Sequence, residues 1–376
     1  MIGVDILIVG AGVAGSVAAL TLSRQGYRVA VIERNLPRSS SIGECLPPRV
    51  KPALRLLGLE DAFLADNHLS MQGYCVSWDK SGQYERDFLR SPYGCGWLLN
   101  RKRFDQMLVN AGMESGGLYH WQTKLINITQ NETNPHWQIE CLTDKQPVYF
   151  TAKALVDASG RSRSVARRLG GKSRRDDNLI AFVSRVDHTQ CHTLPPQDVL
   201  IESSANGWWY SAPFSSKYST LCYFTDGDLP IPKNSNTLLD WSLQLPNMKR
   251  RLLGAIIPKY EPLIRTAAYT SALEACVGNR WIAIGDAACS FDPLSSYGIT
   301  SALGSGYYGA AALAGELKGK PNQLASYQTL MQRTFLEFLE QRFTEYQKVD
   351  QFDSTFWQRR SANGGLLTPR HINLNR

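Results

Sequence analysis

The sequence predicts an α/β fold: a Rossmann-like dinucleotide-binding domain, interrupted by an inserted antiparallel-sheet domain and followed by a C-terminal helical segment. Three observations carry this. A short apolar strand, Val4–Val9, runs straight into Gly10-Ala11-Gly12-Val13-Ala14-Gly15. A second apolar strand, Trp281–Ile284, ends in Gly285-Asp286, passes Pro293 and restarts as a helix after Gly298. Between them, segments near 73–90 and 180–225 carry alternating, β-branched or aromatic runs such as Ile180–Val186 and Thr220–Thr225, which read as antiparallel strands. The boundaries fall at 1–72, 98–179 and 275–320 for the nucleotide domain, 73–97 and 180–274 for the inserted substrate domain, and 321–376 for the terminal helix and tail.

Val4–Val9, Ala14–Gln25 and Val29–Glu33 form a strand, helix, strand unit. Continuous apolar strands of this kind belong in a parallel sheet covered on both faces. Gly10 permits the tight turn, Gly12 lets the backbone approach a pyrophosphate, and Gly15 lets helix and strand pack closely. The helix N-terminus, with Ala14 in its first turn, offers free N–H groups and a partial positive charge to phosphates. Glu33 stands 23 residues beyond Gly10, at the end of the second strand. A carboxylate there binds ribose hydroxyls, and Arg34 beside it joins the cofactor candidates. Another buried strand, Ala154–Asp157, leads into Asp157-Ala158-Ser159-Gly160-Arg161. Residues 236–268 read as a helical excursion over the inserted sheet, 323–348 as a packing helix, and the tail from Arg359 as a mobile arm.

Composition narrows the class. No stretch approaches the ~20 apolar residues of a membrane helix, so the expectation is a soluble, cytoplasmic protein without a membrane partner. The eight cysteines lack any Cys-x-x-Cys pair, which points to reduced thiols rather than a disulfide framework or a metal site. Net charge is +8, and seven basic residues fall between Arg161 and Arg175. They serve either as a solvated loop beside a pyrophosphate or as a docking face for an acidic partner or NAD(P)H. Aromatic residues are not interleaved with them, which argues against nucleic acid.

A dinucleotide held by two glycine-bearing segments so far apart in the chain is read as FAD. Four stretches together resemble the FAD-dependent aromatic hydroxylases and flavin-dependent halogenases, the fold of p-hydroxybenzoate hydroxylase. They are the Gly10–Gly15 fingerprint, Leu99-Asn100-Arg101-x-x-Phe104-Asp105-x-x-Leu108, the Asp157–Arg167 run, and Arg280–Ile299. The resemblance implies that Arg101 contacts FAD near its diphosphate or ribityl chain. It places Asp157 and Gly160 in a second nucleotide-contact motif, and assigns a ribityl hydroxyl to Asp286 after Gly285. Gly298 and Ile299 are expected to turn their N–H groups toward the flavin pyrimidine oxygen, where a helix N-terminus stabilises the charge of the reduced ring. Pro293–Gly298 and the Gly43-Glu44-Cys45-Leu46-Pro47-Pro48 loop are expected to line the flavin. FAD is expected to be non-covalent. Without a second GxGxxG, NAD(P)H binding transiently or a partner reductase is the expected electron donor, with O2 as co-substrate.

Two departures from the halogenase pattern matter. Halogenases carry a Trp-x-Trp-x-Ile-Pro element, and the corresponding stretch here is Gly207-Trp208-Trp209-Tyr210-Ser211-Ala212-Pro213-Phe214. Their halogenating lysine is expected ahead of Val76-Ser77-Trp78, where this chain reads Leu69-Ser70-Met71-Gln72; Lys80 lies beyond Trp78. These departures argue against halogenation and for monooxygenation through a flavin hydroperoxide, which attacks an electron-rich ring. Asp292-Pro293-Leu294-Ser295-Ser296-x-Gly298-Ile299 is similar to small flavoproteins that mature quinone-containing oxidases. The substrate implied is a tryptophan of a quinoenzyme precursor, during cysteine tryptophylquinone biogenesis. Trp208, Trp209 and Tyr210 are the candidate substrate pocket, and Glu44, Glu202 and Tyr210 the candidate catalytic groups. Arg49 and Arg103 are further candidates for the FAD or substrate face. The alternatives are a small-molecule aromatic hydroxylase or halogenase, an isoprenoid reductase, and a client-binding maturation chaperone carrying FAD.

Overall fold

The computed structural model describes residues 1–37, 44–131, 134–191 and 196–361. Its first sheet has the order Val277–Gly278, Trp281–Ala283, Gln146–Asp157, Ile2–Val9, Val29–Ile32, Leu118–His120. From Trp281–Ala283 to Leu118–His120 every pairing is parallel. Ile6, Leu7, Ile8 and Val29–Ile32 are essentially inaccessible, as strands covered on both faces must be. Helices Val13–Ser23 and Gly298–Leu317 pack on each other, with Arg101–Glu114 beside the first. A meander not expected from the sequence, Thr123–Asn131, Asn134–Thr143 and Gln146–Asp157, extends this sheet. Its last strand is shared with the parallel sheet, so Ala154–Asp157 is only the end of a twelve-residue strand.

The second sheet runs Ile264–Ala267, Leu179–Asp187, Tyr218–Asp226, Gly207–Pro213, Val199–Ser204, Gly73–Ser77, Gln83–Asp87. Its pairings are antiparallel except one: Val199–Ser204 lies parallel to Gly73–Ser77. That pair joins the two chain segments of the inserted sheet, and chain direction there is not readable from composition. Ile264–Ala267, expected within a helical excursion, is an edge strand. Helices Ser235–Ser242 and Pro246–Leu252 do occupy the outer face, where Trp209, Tyr223, Phe182 and Leu200 form a core with Leu238, Leu239, Met248 and Leu252.

Side chains alternate across the pleat, so the inner face carries the other set. Val76, Val199, Ile201, Trp208 and Phe224 pack there with Tyr346, Phe356 and Trp357 from the C-terminal segment. The long helix Gln323–Gln347 thus ends against the inserted sheet. Arg359 and Arg360 are anchored rather than mobile: Arg360 reaches Asp226 at 2.7 Å and Arg359 reaches Asp228 at 2.6 Å. The tail beyond residue 361 lies outside the described residues. Among the described residues no helix is long and apolar enough to cross a membrane.

Candidate functional site: a nucleotide cradle facing the inserted sheet

The fingerprint loop is built for close approach. Gly10 has φ +110, and a Cβ there would strike the Ala158 carbonyl; a Cβ on Gly15 would strike the Gly10 carbonyl. Both collisions are with backbone, so neither position accepts a side chain. A Cβ on Gly12 would meet nothing: this is the open lip of the cradle. The helix that follows has no side-chain cap, so its first N–H groups are available to a ligand. Ala14, buried on this helix, meets the late motif directly, since a Cβ on Gly285 would lie 2.8 Å from the Ala14 Cβ. Gly285 has φ +57 and donates its N–H to Ser305 Oγ at 2.9 Å. Gly298 opens a second helix without a side-chain cap, again with free space where a Cβ would stand; Ile299 is half-buried behind it.

Charged groups surround this cradle. Glu33 accepts the N–H of Ala11 at 3.1 Å and of Asn35 at 3.0 Å, fixing the loop to the strand end; Arg34 is exposed beside it. Arg101, buried at the start of its helix, pairs with Glu44 at 2.7 Å and Asp105 at 3.1 Å. Burial opposes its charge, but Glu44 and Asp105 more than offset this and hold the guanidinium protonated. Asp286 pairs with Arg161 at 2.8 Å. Burial pushes its carboxyl above the usual range while Arg161 pulls it back. Gly160 (φ +65) turns the chain beside them.

Several expectations change in this setting. Asp157 is fully buried and both its oxygens serve the protein: Oδ1 accepts from Ser159, Oδ2 from the N–H groups of Val165 and Ala166. It organises the nucleotide loop from behind rather than facing a ligand. Glu202 stands on the outer sheet face and accepts from Asn247 N, Asn247 Nδ2 and Met248 N at 3.2, 2.9 and 2.7 Å. It caps Pro246–Leu252 and is no catalytic group. Trp209 shares that face, stacked on Tyr223 at 4.4 Å between centroids, and leaves the candidate pocket. Trp208 faces inward but is sealed against Phe224 at 3.8 Å; it is core, not pocket lining. Arg103 donates to the Asp66 carbonyl and Arg49 is exposed. The basic Arg161–Arg175 run is largely spent internally. Arg163 donates to Ala287 O and Ser271, Arg168 to Leu125 O and Ile126 O, and Arg175 lies over the Tyr269 ring.

Only Tyr210 of the three aromatic candidates remains, and it has company that the sequence did not reveal. Cys45 Sγ lies 3.4 Å from Ser296 Oγ and 3.7 Å from Tyr74 Oη, and the Tyr210 hydroxyl joins the same thiol. Burial, first among the causes, pushes both phenols well above their ordinary pKa and raises the thiol. All three stay protonated near neutrality and can donate or accept hydrogen bonds. The cluster joins the Glu44 loop, the inserted sheet and the turn from Pro293 to Gly298. Cys45 and Ser296 lie in segments the sequence marked as lining the flavin, but pairing across three elements is invisible in one dimension.

The FAD binding domain model matches residues 3–236, which take in the fingerprint, the Arg101 helix and the Asp157 loop. The chain belongs to this FAD binding domain family. The cradle fits the cofactor, with two uncapped helix N-termini and two glycine-lined openings. Over its full length the chain is similar to LodB of Marinomonas mediterranea, provisionally named an FAD-dependent oxidoreductase. The two are 29% identical over 371 residues, covering 96% of this chain and 98% of LodB. It is also similar to the tryptophan 2-halogenase of Chondromyces crocatus, at 24% identity over 94% of this chain and 69% of that one. Among solved structures, the myxobacterial chondrochloren halogenase CndH aligns with a TM-score of 0.86 at 22% identity, covering 100% of this chain and 87% of CndH. QhpG, a peptidyl tryptophan dihydroxylase essential for tryptophylquinone cofactor biogenesis, aligns with a TM-score of 0.76 at 23% identity, covering 95% and 78%. This protein of the FAD binding domain family is an FAD-dependent oxidoreductase with the fold of the flavin-dependent halogenases and aromatic hydroxylases.

Proposed function

We propose that this flavoprotein is a monooxygenase that hydroxylates the ring of a tryptophan in a precursor protein, in the course of tryptophylquinone biogenesis. One observation carries the choice of oxygen over halide. The stretch where a halogenase lysine is expected is the strand Leu69–Met71, with Met71 wholly buried, and Lys80 points to the surface, paired with Asp350 at 3.0 Å. The inner site presents hydroxyls and a thiol from Tyr74, Tyr210, Ser296 and Cys45 instead.

When bound, FAD supplies an electrophilic oxygen atom drawn from O2, with electrons from NAD(P)H or a partner reductase. The chain's own residues have three tasks. Gly12, Glu33, Arg101, Asp286 and the Gly298 helix hold the cofactor. Val76, Val199 and Ile201 on the inner face exclude water, which protects the reactive oxygen and strengthens every polar contact nearby. The Tyr210 and Tyr74 hydroxyls, kept protonated by burial, hydrogen-bond to the ring being oxidised and orient it. The likeness to QhpG, whose substrate is a peptidyl tryptophan, and the full-length likeness to LodB favour a protein-borne ring over a free one.

A second reading, a small-molecule hydroxylase or halogenase, has the likeness to the Chondromyces tryptophan halogenase in its favour. The experiment that separates them offers the FAD-loaded protein and a reductant either a quinoenzyme precursor or free tryptophan and phenols, with and without bromide. Mass gain by oxygen on the precursor alone supports the proposal. Oxygenated or brominated small molecules with an unchanged precursor overturn it. An FAD-loaded protein that binds the precursor stoichiometrically and changes nothing is a chaperone.

A further inference from the structure

Three buried polar side chains from three parts of the fold form one unbroken hydrogen-bond chain. Trp208, on the inserted sheet, donates its Nε1–H to Tyr346 Oη at 3.0 Å. Tyr346, on the long C-terminal helix, donates its hydroxyl proton to Asp292 Oδ2 at 2.8 Å. Asp292 Oδ1 accepts the Leu294 N–H at 3.0 Å. The three residues are 1%, 2% and 1% exposed, so water cannot substitute for any link.

The chain ends on the turn that matters. Asp292 caps the single helical turn Pro293–Ser295, and Ser295 Oγ donates back to the Asp292 carbonyl at 2.8 Å. The next residue, Ser296, is held in the left-handed region at φ 50, and its hydroxyl meets Cys45. Gly298 then begins the helix whose free N-terminus faces the cradle. A buried carboxylate that loses a donor is strongly penalised, so Asp292, and with it the turn, is fixed by what Tyr346 does. Among the described residues the donor to Asp292 Oδ2 is Tyr346, on a helix pinned by Trp78, Trp357 and Arg360 against the inserted sheet.

We propose that Tyr346 is a positioning residue of the flavin site. Through Asp292 it sets the Pro293–Ser296 turn against the flavin ring, and through Trp208 it ties that setting to the inserted sheet. The inference rests on the reading of this turn as the flavin's neighbour, and not on the identity of the substrate.

The test compares the FAD-loaded wild type with Tyr346→Phe, which removes one hydroxyl, and with Phe356→Leu. Phe356 is wholly buried in the same cluster and offers no side-chain hydrogen bond, so its shortening reports what loosened packing and a lost Arg360 stack do with the Tyr346 hydroxyl in place. The expected result has two parts. Tyr346→Phe binds FAD within about two-fold of wild type, yet alters the visible circular dichroism and midpoint potential of the bound flavin. Its kcat falls roughly 10-fold with KM little changed, the size expected when about one hydrogen bond to a charged group is lost. Phe356→Leu lowers thermal stability and leaves the flavin signals in place. Unchanged flavin signals in Tyr346→Phe, or the same changes in Phe356→Leu, overturn the proposal. The spectral readouts need no substrate, so they decide the matter even if the wild type oxidises no tryptophan.

Discussion

Trp209 and Tyr210, adjacent in the strand Gly207–Pro213, stand on opposite faces of the inserted sheet. The Trp209 indole donates to Ser204 Oγ at 3.2 Å in the outer core, whereas Tyr210 joins the inner cluster around Cys45. Replacing each by phenylalanine should therefore separate stability from chemistry. Trp209→Phe should lower the urea unfolding free energy by about 1–3 kcal/mol, one neutral hydrogen bond plus the lost indole volume, with turnover per folded molecule unchanged. Tyr210→Phe should cost no more than about 1 kcal/mol of stability, the bond to Cys45, and lose roughly 10-fold in kcat.

Glu202 should behave as a structural carboxylate. Glu202→Ala leaves three donors at the start of Pro246–Leu252 without their acceptor, a loss of about 1–3 kcal/mol. Denaturant titration should show that loss, while FAD affinity stays at the wild-type value.

Asp286 should behave oppositely. Its carboxylate is the charged acceptor at the junction of the two glycine motifs. Asp286→Ala should weaken FAD binding roughly 10- to 100-fold, the worth of a charge-assisted hydrogen bond at about 1.5–3 kcal/mol. Fluorescence titration of the apoprotein with FAD measures this directly. Acid precipitation of the wild type should release all yellow colour into the supernatant, as non-covalent binding requires.

Stability should fall on mild acidification. Burial holds the imidazoles of His68, His120 and His188 below the ordinary histidine value, whereas in the unfolded chain they titrate near about 6.5. As pH falls below that value the unfolded chain takes up protons first, so stability present above it is lost as pH drops through the lowered folded values. Asp176, Asp286 and Asp292, raised by burial, act the other way at lower pH, where protonation favours the folded chain. The thermal midpoint should drop between about pH 7 and about pH 5.5. His188→Gln, which keeps a partner for Ser219, should flatten part of that drop.

The fingerprint unit of the nucleotide domain was legible because its physics is local, whereas the meander from Thr123 to Asp157 was not. A glycine that must avoid the Ala158 carbonyl, and a carboxylate at a strand end, leave marks at fixed spacing. The inserted sheet was legible as strands, but not the parallel join of Val199–Ser204 to Gly73–Ser77. Both faces of that sheet are buried, so the alternation that would sort Glu202 and Trp209 from Tyr210 is masked by apolar residues everywhere. The Cys45, Tyr74, Ser296 cluster joins residues up to 251 positions apart, and the Asp292–Tyr346 contact spans 54. Cys45, Ser296 and Asp292 lie in segments the sequence marked, but which partners they meet depends on how separate elements dock.

The most direct measurement is the intact mass of a quinoenzyme precursor after incubation with the FAD-loaded protein, a reductant and isotopically labelled O2. The expected result is a mass gain carrying the label, localised by peptide mapping to a tryptophan, and lost when FAD or O2 is withheld. A precursor of unchanged mass, alongside label in free phenols or indoles, would contradict it.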